Sequence, residues 1–312
     1  MAVADLTDVP QEVLSWCEVR LGSRVVTGIA EPVRQVSEVF GLRLADGRDV
    51  AVKRRADHNG RAQSCVAAQR AVANAGFPCA RPLTAAERLG DQVIHAEQWR
   101  PGGTMLRGDD EATALRFAAL YARLMTILAV LAVDPPLPNP NWVRWDTPSP
   151  RLWPPVRFLD ERDQSLVPAV VDTVARRLRR RLERSTLPPV LGHADWETQN
   201  LRWRMDATPW AVHDWDSLAW LPEAVLVGAA SGSFASAETP TLAPVDSSLA
   251  FLDEYQARRG RVFSADEGQL AWAASLWPAA WNARGQSLFG RPPMALTALE
   301  HQADRRLALA GV

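Results

Sequence analysis

One short segment of the chain carries three side chains that suit acid–base and metal chemistry. The residues Leu-Gly-His-Ala-Asp-Trp-Glu-Thr-Gln-Asn-Leu (191–201) include His193, Asp195 and Asn200. Fourteen residues after Asn200 comes Asp214, within the sequence Val-His-Asp-Trp-Asp. A His-x-Asp pair is common by chance, but a His-x-Asp followed by this Asn and a later Asp is a much more specific set.

A single lysine precedes this set. The sequence contains 35 Lys and Arg residues, and Lys53 is the only lysine among them. An arginine would present a bulkier, planar group here, whereas a lysine ammonium is a compact point charge. The presence of a lysine in an arginine-rich chain therefore marks residue 53 as a candidate phosphate-binding cation.

These residue types fit the transfer of a phosphoryl group from a nucleotide. The transition state spreads negative charge over the γ-phosphate oxygens, and the protein contributes mainly positioning and cations. Asp195 would accept the hydroxyl proton of the acceptor. Asn200 and Asp214 offer the hard oxygen ligands that Mg²⁺ prefers, and Lys53 would hold the phosphates of ATP or GTP.

Three segments resemble motifs of the aminoglycoside phosphotransferase and choline-kinase-like family, a branch of the protein-kinase fold. Segment 191–201 is similar to the family's catalytic loop, and the sequence Val-His-Asp-Trp-Asp is similar to its metal-binding strand. The sequence from Ala75 to Leu83 resembles the Gly-x-Pro-x-Pro-Arg segment that follows the family's N-lobe helix. The resemblance runs from about residue 20 to about residue 230.

The resemblance implies a role for each matching residue. Asp195 would be the catalytic base, and His193 would hold the catalytic loop by hydrogen bonds. Asn200 and Asp214 would ligate Mg²⁺, and Lys53 would contact the nucleotide phosphates.

The nucleotide-binding role extends to three further positions. The segment Glu97-Gln98-Trp99 would be the hinge whose backbone receives the adenine, and Arg34 would help to bind the phosphates. Asp216 stays open between a second metal ligand and a residue that supports the ligands.

Two departures from the family pattern concern the nucleotide. Family members usually carry a helix Glu that pairs with the lysine, and that position falls on Cys65 here. Gln69 lies one turn further along the same helix face and is a candidate replacement through a hydrogen bond. Alternatively, another group orients Lys53, or the site closes only with substrate. The phosphate-covering loop near residues 30–36 also contains no glycine.

The pattern of elements predicts an α+β, protein-kinase-like bilobal fold with a small β-rich N-lobe and a larger helical C-lobe. Residues 1–98 would bind the nucleotide, and residues 99–312 would carry out catalysis and bind the acceptor. The predicted strands lie at 25–54 (with a turn at 45–48), 82–88 and 92–98, and the predicted helices at 10–21, 61–75, 109–132, 164–185, 247–258, 266–284 and 294–309.

The acceptor is not determined by charge. Residues 220–312 contain nine acids and seven arginines, which is not the strongly acidic surface that a cationic aminoglycoside favours. Three tryptophans at 272, 277 and 281 lie near the spacing of one helix face and form either packing core or an aromatic wall for a flat acceptor. The proline-rich stretch 134–155 is either an inert connection or a cover of the acceptor site.

Composition bears on the partners and the location of the protein. The net charge of −1 argues against nucleic-acid binding, and three cysteines without metal-ligand spacing predict a reducing, cytoplasmic location. No apolar run approaches the length of a membrane span. We expect a monomer or weak dimer.

The predicted function is a Mg²⁺-dependent kinase that phosphorylates a hydroxyl of a small molecule, such as an antibiotic or natural product. Antibiotic resistance is the expected role. One alternative is a catalytically weak nucleotide-binding module of the same fold. A less favoured alternative is a metal-dependent hydrolase with His193, Asp195, His213 and Asp214 as ligands.

Overall fold

The computed structural model describes residues 6–34, 37–57, 59–147 and 151–312. The chain divides into two compact units. Unit 1 comprises Met1–Gly103, Leu131–Pro138 and Ala211–Asp216, and unit 2 comprises Thr104–Val130, Asn139–Trp210 and Ser217–Val312. The sequence placed the division between residues 98 and 99, whereas the units divide after Gly103 and unit 1 takes up two later segments. The second of these joins unit 1 because the Val212 amide donates to the Pro78 carbonyl at 2.8 Å.

Unit 1 is built on a five-stranded antiparallel sheet. The strands are β1 (Val25–Arg34), β2 (Glu38–Leu44), β3 (Asp49–Ala56), β4 (Glu87–Leu89) and β5 (Gln92–Gln98), in the order β1-β2-β3-β5-β4. The predicted turn joins β2 to β3, and Gly47 adopts the left-handed φ of 88° that this turn needs. The predicted strand at 82–88 is shorter, because Pro82 has no amide hydrogen and residues 81–84 reach β5 only through isolated hydrogen bonds.

The two faces of this sheet have different chemistry because side chains alternate along each strand. One face is apolar, and its residues Phe40, Val52 and Ile94 pack against helix α1 (Gln11–Leu21) in a buried cluster. Odd-numbered residues of β3 and β5 point to the other face, where helix α2 (Ala62–Asn74) lies. Lys53, His95 and Glu97 therefore lie on the face of the sheet that α2 covers.

Unit 2 is mainly helical. Its helices are α3 (Glu111–Leu128), α4 (Arg157–Asp160), α5 (Ala169–Leu182), α6 (Glu223–Ser233), α7 (Val245–Arg259), α8 (Ala265–Phe289) and α9 (Met294–Leu309). Strand β6 (Pro189–His193) pairs antiparallel with β9 (Leu218–Pro222), and β7 (Leu201–Trp203) pairs with β8 (Pro209–Val212). None of the helices in the described part of the chain is both long and apolar enough to cross a bilayer.

Among the long helices of the described residues, α6 alone is not predicted by the sequence pattern. Residues 224–233 are all buried, so the helix is apolar or small on every side and has no 3.6-residue periodicity to detect. A Cβ atom at Gly228 or Gly232 would collide with the backbone of Ala271 or Ser275 on α8. These glycines let α6 and α8 approach backbone to backbone.

Candidate functional site

The predicted site residues fall into two sets, one in each unit. In unit 1, the Lys53 ammonium lies 2.8 Å from Oε1 of Glu97, and the two side chains are 16% and 4% exposed. Lys53 on β3 lies directly opposite His95 on β5, so Glu97 is its diagonal neighbour on the same sheet face. The carboxylate that pairs with the lysine is therefore on a strand.

Helix α2 contributes an amide to this pair. Gln69 is 1% exposed, and its Nε2 donates to Oε2 of Glu97 at 2.7 Å and to the Ala80 carbonyl at 2.8 Å. Cys65, at the position where the family pattern has a glutamate, is fully buried, and burial raises the pKa of its thiol to about 12. Cys65 is thus a neutral packing residue, and Gln69 acts on Glu97.

Electrostatics keeps both members of the pair charged. Burial works to lower the pKa of Lys53, but the charges of Glu97, Asp216 and Asp214 outweigh it, and the net pKa is raised. Burial works to raise the pKa of Glu97, but the Lys53 charge, His95 and the hydrogen bonds from Lys53 and Gln69 together outweigh it, and the net pKa is lowered. Burial also lowers the pKa of the neighbouring His95 to about 3, so that ring is neutral.

Asp214 sits just after β8 in an unusual backbone conformation. Its φ is 56°, in the left-handed region that aspartate tolerates better than most residues. Trp215 holds the turn, because its Nε1 donates to the Val212 carbonyl at 3.0 Å and its ring packs edge-on against Phe77. The turn thereby sets the direction of the Asp214 side chain.

Asp216 forms an ion pair with Arg55 of β3. Burial raises the pKa of Asp216, and the nearby Asp214 charge acts in the same direction, against the opposing effect of Arg55. Of the two roles left open by the sequence, this contact favours the supporting one, since the carboxylate is already engaged by a guanidinium.

The backbone amides of the predicted hinge at Gln98 and Trp99 donate to carbonyls of the same unit. The Gln98 amide donates to the Arg81 carbonyl at 2.9 Å, and the Trp99 amide donates to the Asp49 carbonyl at 3.2 Å. The Trp99 ring lies over β2, where Gly41 leaves it room. The adenine contact stays a prediction, as does the role of Arg34, whose side chain lies outside the described residues together with 35 and 36.

In unit 2, His193 holds the start of segment 191–201 in place. Its ring is fully buried, and its Nδ1 accepts the Asp195 backbone amide at 3.2 Å. An accepting Nδ1 carries no proton, so the proton of the neutral ring lies on Nε2. The His193 carbonyl accepts from the Tyr121 hydroxyl of α3 at 2.8 Å. Through these contacts His193 links the Asp195 backbone to helix α3.

Asn200 orients Asp195 directly. Its Nδ2 donates to Oδ2 of Asp195 at 2.7 Å and to the Asp195 backbone carbonyl at 3.0 Å. A 3₁₀ turn over Thr198–Asn200 closes the loop, and the Thr198 side chain is anchored to the Leu106 carbonyl at 2.6 Å. With its nitrogen used in this way, the amide oxygen of Asn200 is the atom left to ligate a cation.

A cavity of about 200 Å³ lies beside Asp195 in unit 2. Its lining includes Trp142, Asp195, Glu197, Gln199, Trp281 and Asn282. The indole Nε1 of Trp142 donates to the Ala194 carbonyl at 3.2 Å, and Gln199 Nε2 donates to Oε2 of Glu197 at 2.7 Å. Sequence reasoning missed Glu197 and Gln199 as lining residues, although both lie inside the motif it quoted.

The tryptophans of α8 divide between the two roles that the sequence allowed. Trp277 is fully buried and packs against Trp145 and Trp153, and Trp272 is also buried. Only Trp281 of the three lines the cavity. From the proline-rich stretch, Trp142 lines the cavity, whereas the indoles of Trp145 and Trp153 belong to the core.

Taken unit by unit, the donor types suit Mg²⁺ and the phosphates of a nucleotide. Asn200 and Asp214 provide an amide and a carboxylate oxygen, which are hard ligands, and Lys53 provides a buried compact cation. Across the described ranges, no cluster of three or more His, Cys, Asp or Glu side chains is arranged to hold a metal ion. The hydrolase alternative also loses support because Nδ1 of His193 already accepts the Asp195 amide.

Solved structures with this architecture include several small-molecule kinases. An amicoumacin kinase in complex with AMP-PNP, Ca²⁺ and Ami has a TM-score of 0.62 and 11% identity, covering 96% of this chain and 93% of that chain. A thermostable mutant of aminoglycoside phosphotransferase APH(4)-Ia with ADP and hygromycin B has a TM-score of 0.60 and 16% identity, covering 97% and 100%. The fold is therefore protein-kinase-like.

A third structure with this protein-kinase-like fold is a putative fructosamine-3-kinase from Thermobifida fusca. It has a TM-score of 0.55 and 18% identity, and the match covers 95% of this chain and 98% of that chain. No protein-family model and no curated protein matches the sequence. The expected α+β fold class and the resemblance to aminoglycoside phosphotransferases are confirmed at the level of the fold.

Proposed function

We propose that this protein is a kinase that transfers the γ-phosphoryl group of ATP or GTP to a hydroxyl group of a small molecule. The observation that carries the proposal is the paired geometry of Asp195 and Asn200. A carboxylate fixed by an amide, whose oxygen can then ligate a cation, suits a catalytic base in phosphoryl transfer. The buried Lys53–Glu97 pair in unit 1 supports it.

In the proposed reaction, Lys53 binds the α- and β-phosphates and Asp195 accepts the proton of the acceptor hydroxyl. The hydroxyl oxygen forms a bond to the γ-phosphorus while the bond to the bridging β–γ oxygen breaks, and the nucleoside diphosphate leaves. Asn200 keeps the Asp195 carboxylate oriented throughout. Asn200 and Asp214 would hold Mg²⁺, which when bound neutralises charge on the phosphate oxygens.

The cavity beside Asp195 is the proposed site of the acceptor's reacting end. Its volume of about 200 Å³ is below the range of whole drug-sized pockets, so we expect it to take one ring of a larger molecule. Trp142 and Trp281 offer apolar faces to a flat or partly apolar ring. The Glu197 carboxylate offers an acceptor for a hydroxyl or amine.

The remaining expectations belong to the same proposal. We infer a cytoplasmic protein, a monomer or weak dimer, that acts on an antibiotic or natural product and does not use nucleic acid or membrane as its partner. Support comes from the net charge of −1 and from Cys17, Cys65 and Cys79, which are free thiols and buried.

The test is a panel of hydroxylated antibiotics incubated with Mg²⁺ and either ATP or GTP. The readouts are nucleotide consumption and a product mass that has gained one phosphate. Lys53→Ala and Asp195→Asn are the inactive controls. Tight Mg·ATP binding with no phosphorylated product across a broad panel would instead support the nucleotide-binding module.

A further inference from the structure

We propose that Glu97 on strand β5 takes the lysine-orienting role that the family pattern assigns to a helix glutamate, and that Gln69 on α2 is the positioning residue for Glu97. This inference rests on the proposed kinase function. It gives the Glu97 side chain a role that the hinge prediction did not, and it makes Gln69 act through Glu97 and not on Lys53 directly.

Each carboxylate oxygen of Glu97 contacts a different side chain. Oε1 receives the Lys53 ammonium at 2.8 Å, and Oε2 receives the Gln69 amide at 2.7 Å. The second acceptor of the Gln69 amide nitrogen is the Ala80 carbonyl, which lies on the segment between α2 and β4. A carboxylate with both oxygens engaged has little freedom to rotate, so the position of the ammonium is determined as well.

The chemistry of position 69 follows from the location of the carboxylate. A glutamate at 69 would place its negative charge against both the Glu97 carboxylate and the Ala80 carbonyl oxygen. An amide nitrogen instead donates to both. Since Gln69 and Glu97 are almost fully buried, water cannot substitute for these hydrogen bonds without cost. With the carboxylate on β5, an amide at position 69 of α2 is therefore favoured over a second carboxylate.

The Lys53–Glu97 pair joins two neighbouring strands, whereas in the family pattern the lysine pairs with a residue on a helix. β3 and β5 are hydrogen-bonded neighbours over seven residue pairs, from Val50↔Gln98 to Ala56↔Gln92. The separation of Lys53 and Glu97 is therefore set by the strand ladder. A pair between a strand and α2 would depend on the packing of the helix. We infer that Lys53 is already oriented before nucleotide or acceptor binds.

The decisive experiment exchanges the carboxylate of β5 and the amide of α2 between positions 97 and 69. Glu97→Gln and Gln69→Glu are made singly and together, and the double variant restores one carboxylate and one amide with their positions exchanged. Gln63→Glu, the same change on an exposed position of α2, is the matched control. Each protein is measured for its Kd for Mg·ATP without acceptor, for KM and kcat, and for its thermal midpoint.

The single lysine provides a readout that does not depend on activity. Protein labelled with ¹³C-lysine gives one ε-methylene signal, which comes from Lys53 alone because the sequence has no other lysine. Its chemical shift reports whether the ammonium has a fixed partner. This measurement needs neither acceptor nor nucleotide.

We expect each single variant to weaken Mg·ATP binding and raise KM by about tenfold or more, with a shifted Lys53 signal. The double variant should recover part of the affinity and move the signal back toward its original position, because a carboxylate and an amide face each other again while the carboxylate at position 69 still lies against the Ala80 carbonyl. Gln63→Glu should match the unaltered protein. If Glu97→Gln fails to fold, the double variant carries the test alone. A folded double variant that binds no better than the singles overturns the proposal, as does a Glu97→Gln variant with unchanged affinity and signal. If the unaltered protein binds no nucleotide, the proposed function fails, while the Lys53 signal still decides the pairing.

Discussion

The two sets of functional side chains are held together over very different sequence distances. In unit 2, Asn200 holds Asp195 across five residues, and His193 holds the Asp195 amide across two. In unit 1, Gln69 and Glu97 are 28 residues apart and lie on a helix and a strand, and Lys53 lies on another strand. One set is a local loop, and the other exists only through sheet register.

This difference has a consequence for what substitutions do. The local set is held mainly by a short turn and its own side chains, with two anchors from elsewhere in its unit, the Tyr121 hydroxyl and the Leu106 carbonyl. The set in unit 1 depends on the register of β3 and β5, and therefore on the residues that pack against the sheet, but it is rigid once formed. We therefore expect changes in unit 2 to act mainly on the chemistry, and changes around Lys53 to act on nucleotide affinity and stability.

The largest effect should come from Asp195→Asn. The new amide oxygen can still accept from Asn200, so the loop keeps its conformation while the base is lost. We expect turnover to fall by roughly a thousandfold with unchanged Mg·ATP affinity, measured by steady-state kinetics and nucleotide titration. Asp253→Asn, on the exposed side of α7, is the control. Near-normal turnover in Asp195→Asn would remove Asp195 from the role of base.

The next effect concerns the metal. Asn200→Ala removes both the amide oxygen and the donor to the Asp195 carboxylate, so the requirement for Mg²⁺ should rise. We expect the Mg²⁺ concentration at half-maximal activity to increase by about 10- to 100-fold, measured at saturating ATP. Asn74→Ala, at the exposed end of α2, should show no change. An unaltered Mg²⁺ dependence in Asn200→Ala would exclude this amide as a ligand.

A smaller effect should come from the cavity wall. Trp281→Ala and Trp142→Ala remove aromatic faces that we assign to the acceptor, and we expect the acceptor KM to rise about tenfold with little change in the KM for ATP. Trp210→Ala, which removes a partly exposed indole that does not line the cavity, is the comparison. An equal rise in both KM values would place the two tryptophans in general packing.

The smallest effect acts on stability through His95. Its folded pKa is about 3 because of burial, whereas the ordinary value is 6.5, so protons bind preferentially to the unfolded chain. Stability is fully present above pH 6.5 and decreases as the pH falls toward 3. We expect a loss of about 2 kcal/mol between pH 7 and pH 5 from this group.

Urea unfolding at the two pH values checks this prediction. His95→Gln should remove this component, while His301→Gln, at an exposed position of α9, should not. An identical pH dependence in all three proteins would show that His95 does not titrate differently on folding.

Much of the fold was predictable because its signals are local. The turn at 45–48, the ends of α1 and α2 and the whole of α9 follow from glycine positions and hydrophobic periodicity. Helix α6 was missed because a helix buried on all sides has no periodicity, and strand β4 was overextended because Pro82 interrupts the ladder. The break after Gly103 and the later segments of unit 1 depend on contacts between distant residues.

For the candidate site, the sequence by itself placed three of the proposed site residues in one short segment. His193, Asp195 and Asn200 lie within eight residues, and their side chains meet through one loop and one 3₁₀ turn. It also marked Lys53 as exceptional, because no other lysine occurs. Only the tertiary structure decided what holds that lysine. Glu97 was assigned to the hinge for its backbone, yet the antiparallel register of β3 and β5 turns its side chain toward Lys53, and α2 brings Gln69 to its second oxygen. Alternation assigns the side chains of each strand to a face, but β3 and β5 are separated in the chain by α2 and β4, so their mutual register is fixed only when the apolar faces pack.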